Sequence, residues 1–302
     1  MSIDYTNLQA DMTANIGYSF GNLKQDGLWH DGGDTANKGK CRYIVIQHVK
    51  GVIVRYHDHR QGDEYFTWKS WGTDNTRLSP EEYAQRKAEI DAYNAKQQEA
   101  AALLRAQRIA RQRQTWATSQ PANPEHPYLL RKQVGAFGIR QRGEALLIPI
   151  RDVSGQLQAL QYIYPVKREM ADGGLSDKQI FGSKRGNFHH IGKPSTPTDT
   201  VYICEGYATG ATLHQITGQC VVIAFDAGNL QPVGEAIRTR YPHAELVFAA
   251  DNDLGVKAGT IENPGIHYAR QAAIACKGYL LTPKTSVKAD FNDLMTTTSE
   301  AA

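Results

Sequence analysis

Short apolar runs alternate with longer amphipathic segments in the C-terminal third of the chain. Four runs are apolar almost throughout, at residues 200–204, 220–225, 245–250 and 278–281. Three segments between them have helical spacing, at residues 208–217, 231–241 and 266–276. Strands that are apolar on both faces and are separated by helices predict a parallel sheet covered on both sides. The expected fold class is therefore α/β.

The first 77 residues show a different pattern, with many aromatic residues, glycines and alternating apolar positions. Residues 42–48 and 51–56 alternate in this way on either side of a short polar turn. Such alternation predicts paired strands. We therefore expect a small β-rich N-terminal domain over residues 1–77.

Residues 78–118 are expected to form one long basic helix or linker. Ser79 can cap its first turn, Pro80 suits the first helical position, and Glu82 completes a capping box. Residues 81–116 contain neither glycine nor proline and are rich in strong helix formers.

Three prolines within residues 121–127 end this helix and mark a domain boundary. Residues 146–151 and 157–163 then predict two strands joined by a tight turn. A basic stretch with glycines follows at residues 178–190, and a second proline-containing break lies at residues 194–199. These boundaries predict one domain over residues 119–195 and another over residues 196–302.

The composition and net charge of the whole chain do not indicate a function: 41% of the residues are hydrophobic, 22% are charged, and the net charge is +3. Any affinity for nucleic acid must come from how the charge is distributed. Residues 101–142 contain one acidic residue, Glu125, and eight basic residues: Arg105, Arg108, Arg111, Arg113, Arg131, Lys132, Arg140 and Arg142. A solvated helix and a nucleic-acid contact both explain this excess, and both interpretations stay open.

The four cysteines lie far apart and form no CxxC pair, which argues against a disulfide framework and against a zinc ribbon. His57 and His59 lack a second ligand pair, so no zinc is expected. No apolar run is long enough to cross a bilayer, and the N-terminus does not resemble a signal peptide. We expect a soluble, cytoplasmic protein without a membrane partner.

Acidic residues directly follow two of the predicted strands. Glu205 follows residues 200–204, and Asp251 and Asp253 follow residues 245–250. The carboxyl ends of parallel strands meet at one edge of a sheet, where open α/β folds place their sites. Asp290 follows the last strand. Each acid alone is explained as a loop or helix-cap residue, but together they would repel one another without a cation, which favours Mg²⁺ or Mn²⁺.

Two motifs resemble the Toprim domain, a family found in bacterial primases, topoisomerases, nucleases and recombination proteins. They are EGYAT at residues 205–209 and DND at residues 251–253, 46 residues after Glu205. The tyrosine-containing form most resembles the primases of conjugative plasmids (TraC-type) and satellite phages (alpha-type). The resemblance implies that Glu205, Asp251 and Asp253 are catalytic and bind the metal. It places Asp290 at a further acidic position, whereas Thr209 stands where replicative primases usually carry an aspartate.

The resemblance extends upstream, through HPYL at residues 126–129 and LIPIRD at residues 147–152. These are similar to the mixed α+β subdomain that precedes Toprim in bacterial DnaG-type primases, where a basic ridge guides template and nucleotide. A further segment, DAGN at residues 226–229, recurs in plasmid primases. The nucleic-acid or nucleotide contacts implied by the resemblance and the basic midsection are Arg151, Lys178, Lys184, Arg185, Arg131, Lys132 and Asn229.

The resemblance implies a DNA primase of plasmid or phage-type replication, which makes short primers on single-stranded DNA from nucleoside triphosphates. The chemistry would be metal-dependent nucleotidyl transfer. A Toprim nuclease and a catalytically inactive replication accessory protein that binds nucleic acid are the alternatives. Replicative primases usually begin with a zinc ribbon, which these cysteines cannot build. The helicase motif GxxxxGK[ST] does not occur either, so any helicase would be a separate protein.

Overall fold

The computed structural model describes residues 5–33, 40–61, 64–71, 79–169, 174–258 and 261–299. The chain forms two compact units, one of residues 1–104 with 258–261 and one of residues 105–257 with 262–302. None of the described helices combines the length and the apolar character needed to cross a membrane.

The first unit contains a four-stranded antiparallel sheet with a helix on one face. The elements are α1 (Thr6–Ile16), β1 (His30–Gly32), β2 (Cys41–His48), β3 (Gly51–Asp58) and β4 (Phe66–Lys69), with the strands in sequence order. Leu8 and Met12 of α1 pack with Val54 of β3 in one apolar core. The strands predicted in this region are confirmed. Helix α1 was not predicted, although Leu8, Met12 and Ile16 recur at helical spacing along it.

The long helix is α2 (Pro80–Thr118), which has 39 residues. Its capping box is present: Ser79 Oγ accepts a hydrogen bond of 3.2 Å from the Glu82 N–H, and Glu82 Oε2 accepts one of 2.8 Å from the Ser79 N–H. Both the helix and its start are therefore confirmed. Most of the α2 surface is exposed, and Gln112 and Thr115 are its buried residues.

The second unit begins with a five-stranded antiparallel sheet. The strands lie in the order β5 (Gln120–Pro121), β6 (Arg140–Arg142), β7 (Ala145–Arg151), β8 (Leu157–Glu169) and β9 (Leu175–Gly182), with the short helix α3 (Pro127–Lys132) after β5. The predicted strand pair corresponds to β7 and β8, which is confirmed.

A second five-stranded sheet follows in the same unit. Its order is β10 (His189–Ile191), β12 (Cys220–Ile223), β11 (Thr200–Cys204), β13 (Glu245–Ala249) and β16 (Tyr279–Leu281). Strands β11, β12, β13 and β16 are parallel, as predicted, and β10 joins antiparallel to β12. Strand β10 was not predicted, because two of its three residues are histidines. Strand β12 ends earlier than expected, since Phe225 has a left-handed backbone with φ of 73°.

Helices cover both faces of this parallel sheet. They are α4 (Tyr207–Thr217), α5 (Leu230–Arg240), α6 (Pro264–Ala275) and α7 (Phe291–Ser299), and the short strands β14 (Lys257–Ala258) and β15 (Ile261–Glu262) lie before α6. Residues of α4 share an apolar core with α3 and β7, and residues of α5 share another with α6. The prediction of an α/β sheet covered on both sides is confirmed. The domain limits at residues 77, 118 and 195 stay predictions.

Candidate active site at the carboxyl edge of the parallel sheet

Glu205 lies at the carboxyl end of β11, between the strand and α4. The backbone holds it there: the Ala224 N–H donates to the Cys204 carbonyl at 2.8 Å, and the Phe225 N–H donates to the Glu205 carbonyl at 2.9 Å. Glu205 is thus paired through its backbone with the residues that follow β12.

Asp251 and Asp253 lie on either side of Asn252 in the loop after β13. The Asn252 N–H donates to the Ala289 carbonyl at 2.9 Å, and the Ala289 N–H donates back at 3.1 Å. The Asn252 side chain is buried and accepts a hydrogen bond of 2.7 Å from Asn263 Nδ2. Asn263 Oδ1 in turn accepts the Asp253 N–H at 3.0 Å. The side-chain amides of Asn252 and Asn263 therefore fix the loop that carries the two aspartates.

Glu205 and Asp251 each carry a buried oxygen without a hydrogen-bond partner in the described part of the chain, Oε1 and Oδ1 respectively. Burial raises the pKa of Glu205 to about 8, and the charges of Asp251 and Asp253 act in the same direction. Burial and then the charge of Asp290 raise the pKa of Asp251 to about 7, against the opposing charge of Lys178. Clustered oxygen donors with too little positive charge around them fit a hard divalent cation such as Mg²⁺ or Mn²⁺.

Asp253 has a lysine partner at this edge. Its Oδ1 lies 2.7 Å from Nζ of Lys288. Among the described residues, no three His, Cys, Asp or Glu side chains lie close enough together to hold a metal ion. A cation at this edge would therefore draw the carboxylates closer and compete with the Lys288 ammonium group for Asp253.

Asp290 has a structural partner as well as a place at this edge. Its Oδ1 accepts the Asp293 N–H at 2.8 Å, and Asp293 Oδ2 accepts the Asp290 N–H at 3.2 Å. This reciprocal pair caps the first turn of α7. The carboxylate charge of Asp290 also raises the pKa of Asp251, so Asp290 borders the acidic edge while it serves as a cap.

Two residues at this edge were given no role of their own in the sequence analysis. Asp226 follows β12 and raises the pKa of Glu205, and Lys288 pairs with Asp253. Asp226 could have been found by the rule that located Glu205, since it also follows a predicted strand. Thr209, which replaces a usual aspartate, is buried in α4.

Two of the predicted basic residues act on carboxylates at this edge of the sheet. Lys178 of β9 lowers the pKa of Asp251 through its charge. Lys184 forms an ion pair with Asp226. Arg185 follows Lys184 in the chain and is exposed.

Other basic residues that were predicted to contact nucleic acid or nucleotide bond to groups of the protein itself. Arg131 Nη1 donates to the Pro165 carbonyl at 3.0 Å, and Lys132 Nζ lies 3.1 Å from Asp293 Oδ1. Arg151 donates to the Gly155 carbonyl at 3.0 Å and places its guanidinium carbon 5.5 Å from the Trp116 ring centroid. Arg151 also lines a cavity of about 240 Å³. These bonds fix the side chains, and the described contacts do not bring Arg131 or Arg151 to the carboxylates.

The Asn229 side chain is buried and bonds to the protein backbone. It is 3% exposed, and its Nδ2 donates to the carbonyls of Ala224, Asn187 and Lys184 at 2.7, 3.2 and 2.9 Å. Its Oδ1 accepts the Gly186 N–H at 2.7 Å. The amide thus fastens residues 184–187 to the end of β12, and its contact with nucleic acid stays a prediction.

Family and structural comparisons bear on the same region. Residues 200–301 match the family model described as the Toprim domain. This segment is a Toprim domain. The match confirms the resemblance based on residues 205–209 and 251–253, and it places Glu205, Asp251, Asp253 and Asp290 within the Toprim domain.

Relatives extend the similarity beyond the Toprim domain. Two curated relatives from Escherichia coli, both named DNA primase TraC, are 33% identical over 254 and 256 residues. The matches cover 82% of this chain but 23% and 17% of the relatives, so the chain spans less than a quarter of their length. The structure of the DnaG catalytic core is 13% identical and covers 65% of this chain and 77% of that core, with a TM-score of 0.42. The TraC alignments are longer than the Toprim segment and therefore include upstream residues.

Proposed function

We propose that this chain carries the catalytic core of a DNA primase, which makes short primers on single-stranded DNA during plasmid-type replication. The observation that carries the proposal is the pair of Glu205 and Asp251, each with a buried carboxylate oxygen that has no hydrogen-bond partner in the described chain, near the charge of Lys178 from the preceding sheet. The two curated relatives named as primases support it, because their similarity includes residues upstream of the Toprim domain.

Glu205, Asp251 and Asp253 would hold Mg²⁺ or Mn²⁺, with Asp290 at the margin of the site. A bound divalent metal supplies positive charge that stabilises a transferring phosphoryl group. The side-chain amides of Asn252 and Asn263 keep the two aspartates in place for this task. The carboxylate oxygens of Glu205 and Asp251 that lack hydrogen bonds are the ligands we assign first.

The basic residues around the edge would bind the anionic substrates. Lys178 faces Asp251 and would orient the triphosphate of the incoming nucleotide. Lys184 and Arg185 would contact phosphates of the DNA template, since the loop that carries them borders Asp226. Arg151 stays a candidate for a nucleotide contact, and a separate helicase stays a predicted partner.

A primer-synthesis assay tests the proposal. The protein is incubated with single-stranded DNA, labelled ribo- or deoxyribonucleotides and Mg²⁺ or Mn²⁺, and the products are resolved on a gel. New short oligonucleotides support a primase, whereas shortened DNA would indicate a nuclease. Absence of any product with either metal contradicts both catalytic functions.

Matched variants test the site assignment. Glu205→Gln should abolish primer synthesis, because it replaces a carboxylate ligand by a neutral amide. Glu235→Gln makes the same chemical change on the exposed surface of α5 and should leave synthesis unchanged. Equal activity of the two variants would contradict the assignment of Glu205.

A further inference from the structure

A groove of about 830 Å³ lies between the C-terminal half of α2 and the antiparallel sheet of the second unit. Its walls include Arg108 and Arg111 from α2 and Arg142 from β6, and its lining contains no aspartate or glutamate from the described residues. Tyr162, Tyr164 and Phe181 of β8 and β9 also line it. We call it the arginine–tyrosine groove.

The three arginines give this groove a positive charge that no carboxylate in its lining balances. Arg108 and Arg111 are exposed, and neither they nor Arg142 belong to an ion pair formed within the described ranges. Arg142 Nη1 donates to Thr115 Oγ1 at 3.0 Å, which holds the guanidinium group against the helix. A cluster of unbalanced guanidinium groups attracts phosphates.

The aromatic rings form a contiguous cluster in the groove. The rings of Tyr162 and Phe181 meet edge to face with centroids 5.1 Å apart, and the centroids of Tyr162 and Tyr164 are 6.4 Å apart. The guanidinium group of Arg168 lies over the Tyr164 ring, whereas Phe181 is 39% exposed although it is a large apolar side chain. The exposed Phe181 ring beside arginines suits an unpaired base, which stacks on an aromatic face while the phosphates contact the cations.

Strand register places this groove away from the acidic edge. Phe181 pairs with Leu160, and Lys178 pairs with Ile163 in the same continuous ladder. Residues three apart on a strand point to opposite faces, so Phe181 and Lys178 lie on opposite sides of the sheet. The charge of Lys178 acts on Asp251, and neither residue lines the groove. The groove is therefore separate from the site of the carboxylates.

The groove nevertheless ends close to that site along the chain. Gly182 lines the groove, and two residues later Lys184 pairs with Asp226 at the acidic edge. A strand lying in the groove could pass over this loop to reach the carboxylates. Hydrogen bonds from Asn229 to the backbone hold the loop in position.

We propose that the arginine–tyrosine groove binds single-stranded DNA and leads it over residues 182–185 to the acidic edge. The use of the bound strand as a template rests on the proposed function, whereas the binding itself does not. Duplex DNA fits the groove less well, because its bases are stacked on one another and cannot cover the rings of Tyr162 and Phe181.

Fluorescence anisotropy of the whole chain with a labelled oligothymidylate measures the binding. Arg108→Glu and Arg111→Glu should each weaken binding about tenfold. Each should also reduce the salt dependence of log K by roughly 0.7 for every phosphate that the variant no longer neutralises. Lys96→Glu makes a matching change of charge at an exposed position of α2 outside the groove and should leave the affinity unchanged. Thermal unfolding of each variant checks that the fold is retained.

Phe181→Ala separates stacking from charge. It should weaken binding about tenfold, the loss expected for one stacked base, while the salt dependence stays unchanged. Unlabelled duplex of the same length should compete poorly. The proposal is overturned by wild-type affinity of the groove variants, by an equal loss in Lys96→Glu, or by duplex that competes as well as the single strand.

The groove and the proposed function can fail separately. Glu205→Gln should bind the oligothymidylate with wild-type affinity although it cannot extend primers. If the wild-type chain makes no primers but Arg111→Glu still binds single-stranded DNA more weakly than wild type, the primase proposal fails and the groove proposal stands. If primers are made and the groove variants bind DNA normally, the groove proposal fails alone.

Discussion

Gly265 in the first turn of α6 lies directly against the backbone of Asp251. A Cβ atom at position 265 would come within 2.4 Å of the Asp251 carbonyl oxygen and 3.0 Å of Asp253 Oδ2. The absence of a side chain thus lets α6 approach the loop that carries two of the proposed metal ligands. Any side chain at this position would have to displace that loop.

Gly265→Ala is expected to lower primer synthesis at least about tenfold and to destabilise the protein by about 1–3 kcal/mol, because the new methyl group overpacks this contact. The gel assay and denaturant unfolding measure the two effects. Gly21→Ala is the matched control, since its Cβ would meet only Gln9 Nε2, at 3.8 Å. Equal behaviour of the two variants would contradict the role assigned to Gly265.

Amide variants should stabilise the metal-free protein at alkaline pH. The pKa values of Glu205 and Asp251 are raised to about 8 and about 7, so ionisation of these groups costs stability as the pH rises through these values. Glu205→Gln and Asp251→Asn should each raise the free energy of unfolding by about 1–2 kcal/mol at pH 9 in EDTA. The gain should vanish below about pH 4, where these carboxyl groups are protonated in the unfolded chain as well as in the folded one. Unfolding curves at the two pH values would contradict this explanation if the variants were no more stable at pH 9.

Lys288→Met is expected to tighten Mn²⁺ binding about threefold to tenfold, because it removes the ammonium group that pairs with Asp253. Titration calorimetry of the full chain measures the affinity. Lys284→Met removes a charge from an exposed position of the same segment and should have a smaller effect. Weaker Mn²⁺ binding by Lys288→Met than by Lys284→Met would exclude competition between Lys288 and the cation.

Asn229→Ala should destabilise the protein by about 3 kcal/mol, since it leaves buried backbone groups without partners. It should also reduce primer synthesis, because the loop with Lys184 and Arg185 loses its attachment. Gln231→Ala removes a side chain that bonds only to Glu235 in the described contacts and serves as the control. Denaturant unfolding that shows no difference between the two would contradict the structural role of Asn229.

The Asp58 carboxylate should make stability depend on acid pH. Burial alone raises its pKa, but hydrogen bonds from Arg60 and Tyr18 outweigh burial and lower the pKa to about 2. A carboxyl group whose folded pKa is below its unfolded value stabilises the fold above that unfolded value, near pH 4. The stabilisation is lost as the pH falls from about 4 to 2.

Asp58→Asn should abolish this part of the acid dependence. Asp31→Asn, at an acid that is 73% exposed, should retain it. Unfolding of the full chain followed between pH 2 and 5 distinguishes them. An identical pH profile for wild type and Asp58→Asn would contradict the prediction.

The acidic residues at the carboxyl edge of the parallel sheet could be predicted because the pattern that identifies them is local in sequence. Glu205 and Asp251 each follow an apolar run, and the parallel order of β11 and β13 needs only the alternation of strands and helices. Asp226 carries the same local signal. It was given no role of its own because the surrounding segment also fits an ordinary turn and helix start.

Features that depend on strand register could not be predicted. Phe181 lies next to Leu160 through its pairing with another strand, which no local pattern indicates. The sequence predicted a basic helix but not the sheet face beside it, so Arg108 and Arg111 could not be distinguished from solvated cations. The burial of Asn229 could not be predicted either, because it depends on residues 184–187, which are distant in sequence.

The hydrogen bonds between Asp290 and Asp293 at the start of α7 would respond to metal binding. An Asp290 oxygen that turned toward a cation would release the Asp293 amide proton, which now lies in a hydrogen bond of 2.8 Å. The exchange rate of that single proton with solvent water would then increase on metal binding. Occupancy of the acidic edge could thereby be followed at a helix end, without nucleotide, template or product in the sample.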